Sequence, residues 1–402
     1  MLRRVRPLGK LRRRPSQAFK KAVGAPGALP ASAPADQALI AVFLLLIGLP
    51  LAGMIFGFDR SFVLEENRIL ATRPELKPTR RAMASFPAKF EAYFNDQLGF
   101  RKRLIYWLAV VKVSGLGVTS TPGVMLGRDG WLYLASDAAI SSYRATQPFT
   151  PGQLEGYRQI IEARRDWLAE RGIPYILIVA PNKDTIYPEF VPPAYNKVNQ
   201  RSRLDQLVEF MRARSTVEVI DIRDDLRQAK RVEPVFDVTD SHWNAVGGYI
   251  AYARIMQAIH ASLPQAQATP RSEFRATVER GPGGDLARML GIADRLPEVR
   301  LKLVPQDGWH FHNTNEPFPL SRGDHPELTM ATERAGAKLP RAVLFRDSFA
   351  AQLIPFLAED FERILCIWNS AFERAIIEAE RPNVVIQEIV ERLLERALPA
   401  DR

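Results

Sequence analysis

Asp240 and His242 stand two positions apart, so one short loop can bring both side chains to a single point. Ser348 follows the apolar run 342–345, which is typical of a buried strand, and precedes a helix-like stretch at 349–357. A serine at a strand-to-helix turn exposes its hydroxyl at the carboxyl edge of a sheet, where helix amides favour negative charge on a bound acyl group. His242 can take the Ser348 proton while Asp240 holds the imidazole tautomer. The pattern predicts acyl transfer through a serine.

A structural role is the alternative for these residues. Aspartate and serine are favoured helix N-caps, so Asp347 and Ser348 can begin one helix, and Asp240 or Ser241 another. The chain has only five histidines. Because an Asp-x-His segment and a suitably placed serine occur together in such a chain, catalysis is the preferred interpretation.

Acyl transfer also needs donors that stabilise an oxyanion. The Ser348 amide is the first candidate, and Gly284 is a second because glycine loops present amides without side-chain obstruction; a simple turn is the alternative there. Asn369 follows the predicted strand 364–368 and can face the site or cap the next helix. Arg346 can steady a carboxylate or an acidic polymer, or pair with a structural acid.

Other residue groups carry weaker signals. His310 and His312 would share one face of a strand, with His325 nearby, but no acidic or cysteine ligand completes a metal site, so neither a metal nor another cofactor is expected. Lys183, in the segment 181–183, could line the cleft or lie in a solvated turn. Four aromatic residues could stack on sugar rings or belong to the core: Trp131, Tyr133, Trp243 and Trp309.

The charge of the chain is concentrated at its N-terminus. Residues 1–58 hold nine basic side chains and one acid, Asp36, in a chain of net charge +10, so the body is nearly neutral and nucleic-acid binding is not indicated. Ala38–Phe58 is uncharged, mostly apolar and long enough to cross a bilayer. The basic flank predicts a cytoplasmic tail at 1–37 and a single-pass signal anchor. A cleaved signal peptide is the alternative, but the apolar stretch is long for one and no clear cleavage site follows.

The body alternates predicted helices and strands. Helical spacing runs over 86–113 with a break near Gly99, and a hairpin is predicted at 124–134. The predicted strands are 175–180, 217–221, 299–304, 308–312, 342–345, 364–368 and 384–389, and the helices after the hairpin are 150–172, 204–214, 246–259 and 349–357. Strands separated by helices predict an α/β fold with a parallel sheet covered by helices on both faces. Ligands of such sheets bind at the carboxyl ends of the strands, where Ser348 lies. The lone Cys366 excludes an internal disulfide.

Several short blocks in one order resemble the alginate O-acetyltransferase (AlgJ/AlgX-like) family of the bacterial periplasm, whose domain is like that of SGNH hydrolases. The resemblance covers most of residues 60–398. The blocks are Glu65-Glu66-Asn67-Arg68, Phe94-Asn95-Asp96, Gly99-Phe100-Arg101, Gly130-Trp131-Leu132, Pro181-Asn182-Lys183, Tyr187-Pro188-Glu189, Asp240-Ser241-His242-Trp243, Gly284-Asp285-Leu286, Asp347-Ser348-Phe349 and Val390-Glu391-Arg392. In that family the Asp-x-His-Trp segment precedes the nucleophile, an order permuted relative to ordinary SGNH hydrolases, and this chain has the same order.

The resemblance implies a triad of Asp240, His242 and Ser348 that acetylates hydroxyls of an exported polysaccharide. It implies an inner-membrane protein with its catalytic domain in the periplasm, supplied with acetyl groups by a multipass membrane acyltransferase. We expect a basic tail at 1–37, an anchor at 38–58, a stem and helical lead-in at 59–120 and an SGNH-like acyltransferase domain at 121–402. A carbohydrate esterase and a non-catalytic scaffold of an export complex are the alternatives.

Overall fold

The computed structural model describes residues 34–57, 70–314 and 328–401. The described residues divide into two compact units, one of residues 34–57 and 73–101 and the other of residues 70–72, 102–314 and 328–401. The first unit contains helices α1 (Pro34–Phe56) and α2 (Arg80–Gln97). Helix α1 is long and apolar enough to cross a membrane. It begins before the predicted span, and Phe58, the last residue of that span, lies outside the described residues.

The second unit is built on a seven-stranded sheet. Its strands in chain order are β3 (Tyr175–Ala180), β4 (Val219–Asp221), β7 (His312–Thr314), β8 (Met330–Glu333), β9 (Leu339–Arg346), β10 (Phe361–Trp368) and β11 (Val384–Val390). The spatial order is β4-β3-β11-β9-β10-β8-β7, parallel from β4 to β10. The last two strands are antiparallel, so the sheet is mixed, and the prediction of a parallel sheet is right for five strands and wrong for two.

Two small antiparallel sheets accompany it: β1 (Val124–Leu126) with β2 (Leu132–Leu134), the predicted hairpin, and β5 (Phe274–Gly281) with β6 (Glu298–Pro305). The predicted strand at 299–304 therefore exists, but it pairs with a strand that the sequence did not indicate. The predicted strand at 308–312 is wrong, because pairing begins only at His312.

The other helices are α3 (Arg101–Val110), α4 (Asp137–Arg144), α5 (Pro151–Ala169), α6 (Lys183–Ile186), α7 (Arg203–Arg214), α8 (Arg223–Ala229), α9 (Ala245–His260), α10 (Asp285–Leu290), α11 (Ile354–Asp360) and α12 (Arg374–Glu380). Alternating strand residues point to opposite faces. Ile176 and Ile178 pack with α9 and α11 residues, whereas Leu177 and Val179 pack with α5 and α7 residues. Helices cover both faces, as predicted.

Local sequence signals explain several boundaries. The predicted break near Gly99 is observed between α2 and α3, where Phe100 has a φ of 62°. Helix α5 begins with a capping box in which Thr150 and Gln153 satisfy each other's backbone N–H groups. The predicted helix at 349–357 is instead a 3₁₀ turn, Phe349–Gln352, followed by α11. Pro355 is the physical reason, because it lacks the N–H that a continuous helix would need at that position.

Candidate active site

The turn after β9 presents Ser348 and is held by the aspartate before it. Asp347 accepts the Phe349 N–H at 2.9 Å and the Val390 N–H at 2.7 Å, while its own N–H donates to Glu388 at 3.0 Å. Val390 and Glu388 belong to β11, the strand beside β9. The turn is therefore fastened to the neighbouring strand by an adjacent side chain.

Glu388 is a buried acid beside this turn. Burial raises its pKa well above the usual range, and the charge of Asp347 adds to the effect. A neutral Glu388 avoids placing two carboxylates side by side without solvent.

The loop after residue 238 carries the predicted partners of Ser348. His242 Nε2 lies 2.8 Å from Ser348 Oγ, and Asp240 Oδ1 lies 2.8 Å from His242 Nδ1. Asp240 Oδ1 also accepts the His242 N–H at 3.0 Å. The structure brings the three predicted catalytic residues together in hydrogen-bonding order, and this arrangement can activate a serine for attack on an acyl carbon.

Both titratable partners have shifted pKa values. Burial would raise the pKa of Asp240, but hydrogen bonds and charge from His242 hold it well below the usual range. Burial would lower the pKa of His242, but the Asp240 hydrogen bond and the charges of Asp285 and Asp240 raise it above its ordinary value. The pair therefore favours an ionised aspartate beside a basic imidazole.

Asp285 is a second carboxylate at this loop. Its N–H donates to Asp240 Oδ2 at 3.1 Å, and its side chain accepts the Ser241 N–H at 2.7 Å and the Ser241 hydroxyl at 2.5 Å. One of its oxygens lies 3.6 Å from His242 Nδ1. Asp285 thus fixes the residue between Asp240 and His242, although the sequence analysis placed it only in a family-like block and gave a site role to its neighbour Gly284.

A buried glutamate on β6 holds the start of the loop. Glu298 accepts the Val238 N–H at 3.3 Å and the Thr239 N–H at 2.6 Å, and the Thr239 hydroxyl also donates to it. Thr239 Oγ1 in turn accepts the Gly284 N–H at 2.7 Å. The loop is therefore supported by side chains that are remote in sequence.

Aromatic packing fixes the other side of the histidine. The Trp243 indole donates to the Phe349 carbonyl at 2.8 Å, and the ring of Phe349 lies 5.0 Å from the His242 ring between centroids. The guanidinium carbon of Arg392 lies 5.3 Å from the Phe349 ring centroid, and its charge opposes the rise in the His242 pKa. Phe349 and Arg392 were missed as site residues, although both stand in the family-like sequence blocks.

Three residues that the sequence suggested as oxyanion donors or substrate contacts, Gly284, Arg346 and Asn369, make hydrogen bonds within the protein. The Gly284 amide is committed to Thr239, so its prediction as an oxyanion donor is wrong; the physical requirement at Gly284 is close approach to Asp240. Arg346 donates to the carbonyls of Asp347 and Leu328 and lies over the Trp368 ring. These contacts fix its position beside the turn.

Asn369 bonds to Glu373 Oε1 at 3.0 Å and accepts the Ala371 N–H at 3.0 Å, a local capping arrangement. It also lines, with Arg346, Trp368 and Glu388, a cavity of about 350 Å³ at the carboxyl edge of the sheet. Binding roles for Arg346 and Asn369 stay predictions.

The structure also locates the histidines considered for a metal site and the aromatic residues considered for sugar stacking. His310 bonds to Glu359 at 3.2 Å and is not in a strand, so it shares no strand face with His312; His325 lies outside the described residues. Asp240, His242 and Asp285 are close enough to ligate an ion, but the hydrogen bonds above already account for their cluster. Three of the aromatic residues considered for sugar stacking, Trp131, Tyr133 and Trp243, are buried in the core.

Comparisons with known proteins agree with this fold. Residues 124–316 match the family model described as "SGNH hydrolase-like domain, acetyltransferase AlgX". That range includes Asp240 and His242 and stops before Ser348. The solved structure of Bacillus cereus PatB1 is similar with a TM-score of 0.51 at 15% identity, over 67% of this chain and 96% of that one. This likeness concerns the fold.

Several relatives carry the name "Probable alginate O-acetylase AlgJ". The one from Pseudomonas aeruginosa is 28% identical over 270 residues, 65% of this chain and 64% of the relative, so the alignment spans just under two-thirds of that protein. The one from Azotobacter vinelandii is 24% identical over 323 residues, 77% of this chain and 79% of the relative.

Proposed function

We propose, from the match to the acetyltransferase AlgX family model and the similarity to the relatives named alginate O-acetylase, that this AlgJ/AlgX-like chain is an O-acetyltransferase. It would acetylate hydroxyls of an exported or cell-envelope polysaccharide through an acetyl-Ser348 intermediate. The observation that carries the proposal is the 2.8 Å contact between His242 Nε2 and Ser348 Oγ, with Asp240 at 2.8 Å on the opposite ring nitrogen. The names of the relatives support the class of substrate.

In the first half-reaction, Ser348 Oγ attacks the carbonyl carbon of the acetyl donor while His242 Nε2 accepts the hydroxyl proton. The bond to the leaving group then breaks, and His242 returns the proton to that group. Asp240 keeps its carboxylate at Nδ1, so the imidazolium that forms is stabilised in place. An acetyl ester of Ser348 remains.

In the second half-reaction, His242 accepts the proton of a sugar hydroxyl as its oxygen attacks the acetyl-Ser348 carbonyl. The Ser348 oxygen leaves and recovers a proton from His242, which restores the enzyme. The Ser348 N–H is the proposed oxyanion donor, and removal of one such donor typically costs about 3 kcal/mol of barrier. Arg346 and Asn369, which line the adjacent cavity, are proposed to contact the sugar.

We further propose that α1 anchors the protein once in the bacterial inner membrane with the catalytic unit in the periplasm, where a multipass acyltransferase supplies the acetyl group. The basic tail and the apolar span support this orientation. A reporter enzyme that functions only in the periplasm should be active when it is fused after Arg402, and one that functions only in the cytoplasm should be inactive. Activity of a cytoplasm-dependent reporter would reject the topology.

The mechanism is tested by incubating the full-length protein in detergent with an activated acetyl ester, with and without polysaccharide fragments. Intact mass should show one added acetyl group, and peptide mapping should place it on Ser348 and not on Ser241, the other serine beside His242. Fragments should discharge the adduct as acetylated sugar. If the adduct formed but every fragment left acetate release unchanged, the protein would be an esterase; absence of any adduct would remove the covalent mechanism.

A further inference from the structure

Lys183 is a buried lysine below the loop that carries Asp240 and His242. It follows β3 at the carboxyl edge of the sheet, and only 4% of its surface is exposed. Neither sequence expectation fits, because the side chain lies in neither a solvated turn nor an open cleft. The mechanism above gives it no role.

The ammonium group makes three hydrogen bonds, all to backbone carbonyls. Lys183 Nζ lies 2.8 Å from Leu132 O, 2.8 Å from Val238 O and 2.9 Å from Asp240 O. Because a lysine ammonium has three donors, its capacity is fully used. A single cation thus joins the β1–β2 hairpin to both ends of the segment 238–240.

Burial and the neighbouring groups act in opposite directions on the charge of this ammonium group. The ammonium lies 4.8 Å from the Trp131 ring centroid and 5.4 Å from that of Tyr133. Burial lowers the pKa of Lys183 to about 7, opposed by four carboxylates: Asp240, Glu298, Asp285 and Asp237. The carboxylates and the two aromatic rings therefore offset part of the cost of burying this cation.

We propose that Lys183 is a positioning residue for the acyl-transfer reaction, which holds the Asp240 carbonyl so that the Asp240 carboxylate stays on His242 Nδ1. This rests on the proposed function for its consequence in catalysis, but the geometric part stands on the three contacts alone. A displacement of the aspartate by about 1 Å can cost 10²-fold in rate.

Two substitutions separate geometry from charge. Lys183→Arg keeps the cation but cannot direct three donors from one atom, whereas Lys183→Met keeps the apolar stem and removes both donors and charge. Lys230→Met is the matched control. The Lys230 ammonium also donates to a backbone carbonyl, that of Ile186, and lies 4.7 Å from the Tyr187 ring centroid. Among the described residues, its hydrogen bonds go to Ile186 and Glu189 and not to the 238–240 loop.

The assay is acetyl transfer from an activated ester to polysaccharide fragments by the full-length protein between pH 5 and 7. Lys183→Met should lower kcat by about 10²-fold with KM nearly unchanged. Lys183→Arg should also lower kcat, and Lys230→Met should change neither kcat nor KM.

A second measurement is independent of the reaction. Proton NMR of histidine-labelled protein should show a strongly downfield Nδ1–H signal from the Asp240–His242 hydrogen bond, lost or shifted in Lys183→Met and retained in Lys230→Met. An unchanged signal and unchanged kcat in folded Lys183→Met would overturn the proposal. If Lys183→Met does not fold, Lys183→Arg decides, since native kcat in that variant would equally reject a need for the three-donor geometry. A lost signal in a protein whose Ser348 is never acetylated would keep the positioning role and reject the proposed function.

Discussion

The turn at Ser348 and the loop at His242 meet at two hydrogen bonds, His242 to Ser348 and Trp243 to Phe349, but are held in different ways. The turn is fixed by its own neighbour, Asp347, which binds backbone amides of Phe349 and Val390. The loop is fixed by charged side chains from distant parts of the chain, Lys183, Asp285 and Glu298.

The difference has an electrostatic counterpart. Beside the turn, burial raises the pKa of Glu388. In the loop, hydrogen bonds and the charge of His242 lower the pKa of Asp240. The turn therefore favours a neutral acid, whereas the loop requires an ionised one, so the two regions should respond in opposite directions to substitution and to pH.

The largest expected effect is the loss of the Ser348 hydroxyl. Ser348→Ala should lower acetyl transfer by at least about 10⁴-fold, because the nucleophile is removed. The turn should keep its structure, since its hydrogen bonds come from Asp347 and the backbone. Rates on an activated ester and thermal unfolding check both statements. Full activity of Ser348→Ala under conditions where His242→Ala is inactive would replace this mechanism with a histidine-based one.

Asp240→Asn should be nearly as severe, about 10³- to 10⁴-fold, because an amide favours the wrong imidazole tautomer. The double variant with His242→Ala should lose little more than His242→Ala alone, since members of such a set act as a unit. Single-turnover acetylation of each variant, followed by mass, measures this. Additive losses would mean that Asp240 acts apart from His242.

The same contrast explains what could be predicted from sequence. The Ser348 turn was recognisable because its strand, its turn residues and its serine are contiguous. The supports of the loop were not, because Lys183 and Glu298 are 57 and 59 residues from the loop residues they bind. A lysine or glutamate read in isolation is typical of a solvated surface, and only the folded sheet shows that each is buried.

In the sheet, too, the long contiguous strands could be predicted from sequence and the short edge strands could not. Long apolar runs made β3, β9, β10 and β11 evident, and the parallel core followed from the helices between them. The antiparallel edge did not, because β7 has only 3 residues and β8 only 4. Strands this short carry too little periodicity to separate them from irregular chain.

A smaller effect is expected when the loop is displaced without loss of a polar group. A methyl group at Gly284 would lie 2.6 Å from both Cβ and Oδ2 of Asp240, so Gly284→Ala should move Asp240 and lower kcat by roughly 10- to 100-fold. Gly156→Ala is the control, because a methyl group there meets nothing within 4 Å in the middle of α5. It should leave kcat unchanged and raise stability by about 0.5 to 1 kcal/mol. Equal kcat in both variants would show that the loop tolerates movement.

The smallest effect is expected at the turn, where Glu388→Gln imitates the neutral acid. The folded pKa of Glu388 lies above its unfolded value, so over the interval between the two the unfolded chain releases a proton that the folded chain retains. Stability supplied by the neutral form is thus lost as pH rises through that interval. Glu388→Gln should remove this decline and unfold at a higher temperature than the natural protein at pH 7, with little difference at pH 4. The exposed Glu362→Gln serves as control and should follow the natural protein at every pH.

Asp240→Asn should have the opposite effect and unfold at a lower temperature than the natural protein at pH 7. The folded pKa of Asp240 is lowered, so the stability that its carboxylate supplies is lost as pH falls and the difference should shrink. Parallel unfolding curves for Glu388→Gln and the natural protein from pH 4 to pH 8 would mean that Glu388 is ionised in the fold and that the turn and the loop do not differ in this respect.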